Sequence, residues 1–151
     1  MRRKVINRIK PKQMYGKKLN GDMLFNLAHS YVDAINKGAV PSIENSWSYI
    51  CRDECHKAGQ EALQIFESEF YNEYQTRVPM FTDELQDIYK QAKKDALAIF
   101  NKKAVGDVRE EFLKDLKAKM LAKLENFKRE NEKQAENDCQ LFMQQEYQQI
   151  D

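Results

Sequence analysis

The eight residues Gly16-Lys17-Lys18-Leu19-Asn20-Gly21-Asp22-Met23 come nearest, by type and spacing, to known chemistry. Two glycines five apart, with lysines between them, match the opening of a phosphate-cradling loop. That loop requires Lys and then Ser or Thr after the second glycine, to reach the phosphates and magnesium. Asp22 and Met23 hold those places. A carboxylate there repels phosphate, so the match is false, and no other glycine pair fits.

Cysteine and histidine offer a second possibility. Cys51 and Cys55 are four apart, so on a helix they share a face. His56 points about 100° away from Cys55. Zinc needs four well-aimed ligands, whereas Cys139 is far along the chain and His29 falls on another helix. Neither histidine is arranged with Cys or Ser for nucleophilic attack. Two small buried or half-buried thiols are the expectation, with His29 on a helix face. Carboxylate pairs such as Glu67 with Glu69 and Glu110 with Glu111 read as solvated helix surface. Trp47, Phe66, Phe70, Tyr74 and Phe81 read as core at helical spacing, not a base-stacking platform. No catalytic, cofactor-binding or metal residue is assigned.

The composition says what would position any site. With 5 Gly and 3 Pro in 151 residues and 32% charged residues, the chain reads as long amphipathic helices in one domain. No apolar run approaches the ~20 residues of a membrane span. The basic start has no apolar core behind it, so it is not a signal peptide. Three cysteines in no disulfide pattern suggest free thiols and a cytoplasmic location.

Charge is uneven. Residues 1–18 carry eight basic side chains, Arg2, Arg3, Lys4, Arg8, Lys10, Lys12, Lys17 and Lys18, and no acid. Of the 25 basic residues seventeen then remain, against 24 acidic ones. A basic arm can serve an anionic partner or lie against an acidic surface of its own protein.

Periodicity gives the elements. Residues 1–20 read as extended or irregular, with a short strand or turn. The first helix begins at Gly21 or Asp22, a good N-cap, and presents Leu24, Leu27, Ala28, Tyr31 and Ile35 on one face. Gly38 closes it in the left-handed conformation. Pro41 suits the first position of the next helix, Glu44 its first turn, and Trp47 anchors the packing beside this corner. That helix runs over residues 42–75 on a stripe from Ile43, Trp47 and Ile50 to Phe66 and Phe70. Gly59 is its weak point, and Val78-Pro79 marks the stop. Thr82 is expected to cap the third helix, which buries Leu85, Ile88, Ala92, Ala96, Ile99 and Phe100. Gly106 then breaks the pattern and Asp107 caps the fourth helix, which carries Phe112, Leu116, Met120, Leu124 and Phe127. The polar residues 128–138 are a helix extension or a break. Leu141, Phe142, Tyr147 and Ile150 follow with no partner in view. The fold expected is all-α, an elongated antiparallel helical bundle over residues 21–151 behind an irregular basic arm, residues 1–20.

Tyr31-Val32, Ala34-Ile35-Asn36, Gly38-Ala39-Val40-Pro41 and Ile43-Glu44-Asn45 resemble the start of the helical region that follows the GTPase domain in guanylate-binding proteins, large dynamin-like GTPases. The resemblance extends back through Ile9-Lys10-Pro11-Lys12, Gly16 and Leu19-Asn20-Gly21. It extends forward, more weakly, through Leu85-Gln86 and Ala96-Leu97-Ala98-Ile99-Phe100. It implies a parent that binds and hydrolyses GTP with magnesium in a domain outside this chain. It also implies that this non-catalytic region relays the change and supports assembly. The partners implied are the protein's own GTPase domain and further copies in a homo-oligomer, with room for membrane association of the parent and no nucleic acid. Arg2, Arg3, Lys4, Arg8 and Lys10 become the interdomain junction, and Gly38, Pro41, Glu44 and Trp47 the helix corner beside it. Two other readings stay open: a stand-alone helical interaction module that uses the helix after Phe127, and the middle region of an atlastin-type membrane-fusion GTPase.

Overall fold

A two-residue hairpin opens the structure. The computed structural model describes residues 10–148, and Arg2, Arg3, Lys4 and Arg8 lie outside them. Strands β1 (Gln13–Met14) and β2 (Lys17–Lys18) pair antiparallel, with Gln13 opposite Lys18 and Met14 opposite Lys17. Tyr15 (φ 47°) and Gly16 (φ 76°) form the connection. Positive φ at both central residues is what a tight hairpin turn requires. Four helices follow among the described residues: α1 (Gly21–Asn36), α2 (Ile43–Gln75), α3 (Thr82–Lys103) and α4 (Arg109–Gln148). The protein is an all-α helical bundle with this one small hairpin. It divides into two compact units, Met1–Ile50 and Cys51–Asp151.

In the first unit, α1 starts at Gly21 as its sequence suggests, but the cap is Asn20 rather than Asp22. The Met23 N–H donates to Asn20 Oδ1 at 2.8 Å, and Asp22 sits inside the first turn. Gly38 closes α1 with φ 71°. The Gly38 N–H donates to the Ile35 carbonyl and that of Ala39 to the Ala34 carbonyl, both at 2.9 Å. These two bonds make a Schellman cap, which satisfies carbonyls the helix end would otherwise leave bare. Pro41 is not at the first position of α2, because Ser42 intervenes as the cap. Ser42 Oγ accepts from the Asn45 N–H at 3.4 Å, and a hydroxyl is the stronger signal at that place. Glu44 does lie in the first turn.

The second unit holds the main core. Cys55, Ala58, Ala62, Phe66, Phe70 and Tyr74 of α2 face Leu85, Tyr89, Ala92, Ala96 and Phe100 of α3 and Leu116, Met120 and Leu124 of α4. Alanines on both α2 and α3 let the two helices lie close. Phe66, Phe70, Tyr74, Tyr89 and Phe127 fill the end nearer the α2–α3 turn, where Phe70 and Phe127 have ring centroids 4.6 Å apart and Phe66 meets Tyr89 edge-on at 5.8 Å. The chain runs up, down and up. Cys55 pairs with Val105 just past α3 and Glu61 with Lys103 at its last residue, while Arg52 with Glu111 and Glu67 with Lys123 join α2 and α4 in parallel.

Several boundaries differ from their sequence signals. Helix α2 is continuous through Gly59, because packing on both sides outweighs the ~1 kcal/mol a glycine costs in a helix. Thr82 is the first residue of α3 and Phe81 the cap position. The Phe81 N–H donates to Glu84 Oε2 at 3.2 Å, which binds the helix start from within the first turn. Helix α4 begins at Arg109, two residues after Asp107, with the Phe112 N–H on the Val108 carbonyl. Residues 128–138 are an uninterrupted continuation of α4 rather than a break.

Candidate functional site

The corner residues are brought together in the first unit by two small contacts. Trp47 is half-buried, and its ring lies 5.6 Å from that of Tyr15 at the hairpin tip. Its anchoring is therefore to the hairpin, and the buried residue of that turn is Ser46, whose Oγ lies 2.9 Å from Ser30 Oγ of α1. One tie joins the hairpin to α2 and the other joins α1 to α2. Gly38 closes α1 ahead of the turn. Among the described residues, Pro41 and Glu44 find no side-chain hydrogen bond or ion pair. Lys10, the one described member of the proposed junction set, is exposed.

A polar cleft of about 440 Å³ opens between α1 and the start of α2, lined by Asn26, His29, Ser30, Asp33, Lys37 and Tyr49 among others. His29 Nδ1 lies 3.4 Å from Asp33 Oδ2, as residues four apart on a helix meet. Among the described residues no three His, Cys, Asp or Glu side chains are placed to hold a metal ion.

The thiols of α2 are structural. Cys51 and Cys55 are 2% and 0% exposed, and Cys55 Sγ donates to the Val105 carbonyl at 3.2 Å. Burial, then the neighbouring Cys55, pushes the Cys51 thiol up to about 11, and burial likewise raises Cys55. Thiols held protonated are poor nucleophiles. Gly106 (φ 79°) packs directly on Cys51, and a Cβ there would come within 2.8 Å of the Cys51 Cβ. Cys139 is exposed.

Between α2 and α3, Glu69, Glu73, Asp87 and Asp95 line a groove of about 530 Å³. Glu73 is held by Arg77 at 3.0 Å, Asp87 by Lys90 at 2.8 Å and Asp95 by Gln91 at 2.6 Å. Burial and then Asp95 raise the Glu69 carboxyl above its ordinary range. Glu73, Asp87 and Asp95 are thus surface charges already partnered. The Gly16–Met23 segment does not fit a nucleotide either. Gly16 turns the hairpin, Gly21 opens α1, Asn20 occupies the Met23 N–H, and Asp22 adds negative charge to the helix start.

One functional feature of the fold carries no sequence signal. Asn131 of α4 is buried and exchanges two hydrogen bonds with Met80 after α2. The Met80 N–H donates to Asn131 Oδ1 and Asn131 Nδ2 donates to the Met80 carbonyl, both at 2.9 Å. It sits within the polar run after Phe127, where a single inward asparagine looks like its solvated neighbours.

These features describe a helical domain with buried thiols, a glycine-capped corner and a pinned turn. Comparison with known proteins gives the family. The family model "Guanylate-binding protein, C-terminal domain" matches residues 15–151, and the chain belongs to that family. It is similar to guanylate-binding protein 5 of Mus musculus, 35% identical over 117 residues, which cover 77% of this chain and 20% of that protein. Guanylate-binding protein 7 of Mus musculus is 33% identical over 125 residues, 81% of this chain and 19% of that protein. Guanylate-binding protein 1 of Homo sapiens is 28% identical over 130 residues, 85% and 22% respectively. The chain thus spans about a fifth of the length of these curated relatives. It corresponds to the C-terminal helical domain and not to the GTPase domain. No described helix is long and apolar enough to cross a membrane.

Proposed function

We propose that this chain is the module through which a guanylate-binding large GTPase relays nucleotide-driven change to its helices and assembles with further copies. The observation that carries the reading is the family match over residues 15–151. The pinned Met80–Asn131 contact and the dense α2–α3–α4 core support it, because a lever must move as one body to transmit a rotation. In this reading GTP and magnesium bind in the preceding domain of the parent, which does the hydrolysis in the cytoplasm. The partners are that domain, other copies of the protein and, for the parent, a membrane surface, with no role for nucleic acid. Arg2, Arg3, Lys4, Arg8 and Lys10 lie at the boundary and hold it through exposed pairs. Each such pair is worth about 0–1 kcal/mol and weakens with salt, which suits a joint that opens and closes.

The test is the parent protein with Arg2, Arg3 and Lys4 reversed to Glu, followed at low and high salt. GTP turnover and assembly change in the reversed protein, most at low salt, while the helices stay folded. Identical turnover and assembly in every condition contradict the role of the arm.

A second reading rests on α4, whose Leu141, Phe142, Met143 and Tyr147 are 48–74% exposed. A stand-alone interaction module would use this end for a partner helix. A natural polypeptide that carries no GTPase domain upstream of this chain supports that reading over the first.

A further inference from the structure

Helix α1 is apolar over too much of its circumference for one neighbour. At 100° per residue, Met23, Leu27, Ser30 and Ala34 face inward, and Leu24, Phe25, Ala28, Tyr31, Val32 and Ile35 occupy the adjoining sector. Asp22, Asn26, His29 and Asp33 share what remains. The two non-polar sectors together span about 220°, whereas a helix lying on one core shows an apolar stripe of roughly 100°. Its second sector is bare: Leu24, Phe25, Val32 and Ile35 are 48%, 67%, 54% and 62% exposed, and Val40 in the following turn is 92% exposed. Among the described residues, eight of the fifteen exposed large hydrophobic ones lie before residue 51, in the smaller of the two units.

We propose that this outer face of α1 is the docking surface for the domain that precedes it in the full polypeptide, with the partner surface apolar at its centre. The inference rests on the parent-protein reading above and gives that joint an apolar contact besides the basic arm. Two observations select the occupant. The matched family is a C-terminal domain, and the match begins at residue 15, six residues before α1. The relatives are about five times longer than the stretch they share with this chain.

The experiment is side-chain footprinting by hydroxyl radicals, on the 151-residue chain and on the full polypeptide, with GTP binding measured on the latter. Phe25 and Leu24 are oxidised at least fivefold more slowly in the full polypeptide. The double substitution Val32→Glu with Ile35→Lys restores the rate of the 151-residue chain. The same pair leaves the melting temperature of the 151-residue chain unchanged. If that pair lowers it, Val32→Thr with Ile35→Thr replaces it. A full polypeptide that binds GTP while Phe25 oxidises as fast as in the 151-residue chain overturns the docking inference and leaves the parent reading standing. A full polypeptide that binds no GTP overturns the parent reading, whatever the footprint. A 151-residue chain that sediments as a dimer, and is split by the Val32 and Ile35 substitutions, makes a second copy the occupant and overturns the inference.

Discussion

Asn131 and Met80 exchange two hydrogen bonds of 2.9 Å, side chain to backbone, in a buried setting 51 residues apart in sequence. The pair fixes the turn after α2 to the side of α4. Truncation of Asn131 to Ala leaves the Met80 N–H and carbonyl without partners, and each buried orphan costs about 1–3 kcal/mol. Asn131→Ala therefore destabilises by about 2–4 kcal/mol, which lowers the melting temperature by roughly 5–10 °C. Asn131→Asp does no better, since its carboxylate faces the Met80 carbonyl where the amide donated. Denaturant titration of the three proteins checks this.

This pair also marks where sequence stops being informative. The stripes of α2 and α3 were legible because Phe66, Phe70, Leu85 and Phe100 repeat at helical spacing, and Gly38 because only glycine takes φ 71° freely. Asn131 was not, because nothing local separates one inward asparagine from a polar run. The contact of Tyr15 with Trp47 joins residues 32 apart, beyond any periodic signal. Pro41, Thr82 and Asp107 each satisfy a local rule but sit beside a residue whose hydrogen bond sets the boundary, as Ser42 does for α2 and Glu84 for α3. Spacing placed Leu24, Leu27, Ala28, Tyr31 and Ile35 of α1 on one face, but not that Leu24, Ala28 and Ile35 are exposed, because spacing shows which residues share a face and not whether anything covers it.

Gly38→Val forces a β-branched side chain into the left-handed region and costs about 1 kcal/mol or more. Gly106→Val costs more, since Gly106 is both left-handed and packed on Cys51. Thermal melts rank the two, with Gly106→Val the lower. Equal melting temperatures contradict the contact with Cys51.

The buried thiols give a pH signature. Cys51 ionises at about 11 when folded against 9.0 for the free thiol, so the folded state keeps a proton that the unfolded state releases. Its contribution is full below pH 9 and is lost as pH rises from 9 towards 11. Cys51→Ala flattens that part of the stability profile. At pH 8 a thiol reagent modifies Cys139 quickly and Cys51 and Cys55 only on unfolding.

The 151-residue chain binds no GTP. Gly16–Met23 is a hairpin turn followed by a helix start that carries Asp22. Calorimetric titration with GTP and magnesium gives no saturable heat, and a micromolar site contradicts the assignment.

The relay itself is tested in the full polypeptide by the distance between a label on the GTPase domain and one on Cys139 of α4, with other accessible cysteines removed. A transition-state analogue of GTP hydrolysis shifts that distance from its nucleotide-free value, and reversal of Arg2, Arg3 and Lys4 to Glu reduces the shift. One distance, unchanged in the nucleotide-free, GTP-bound and analogue-bound states, contradicts the account.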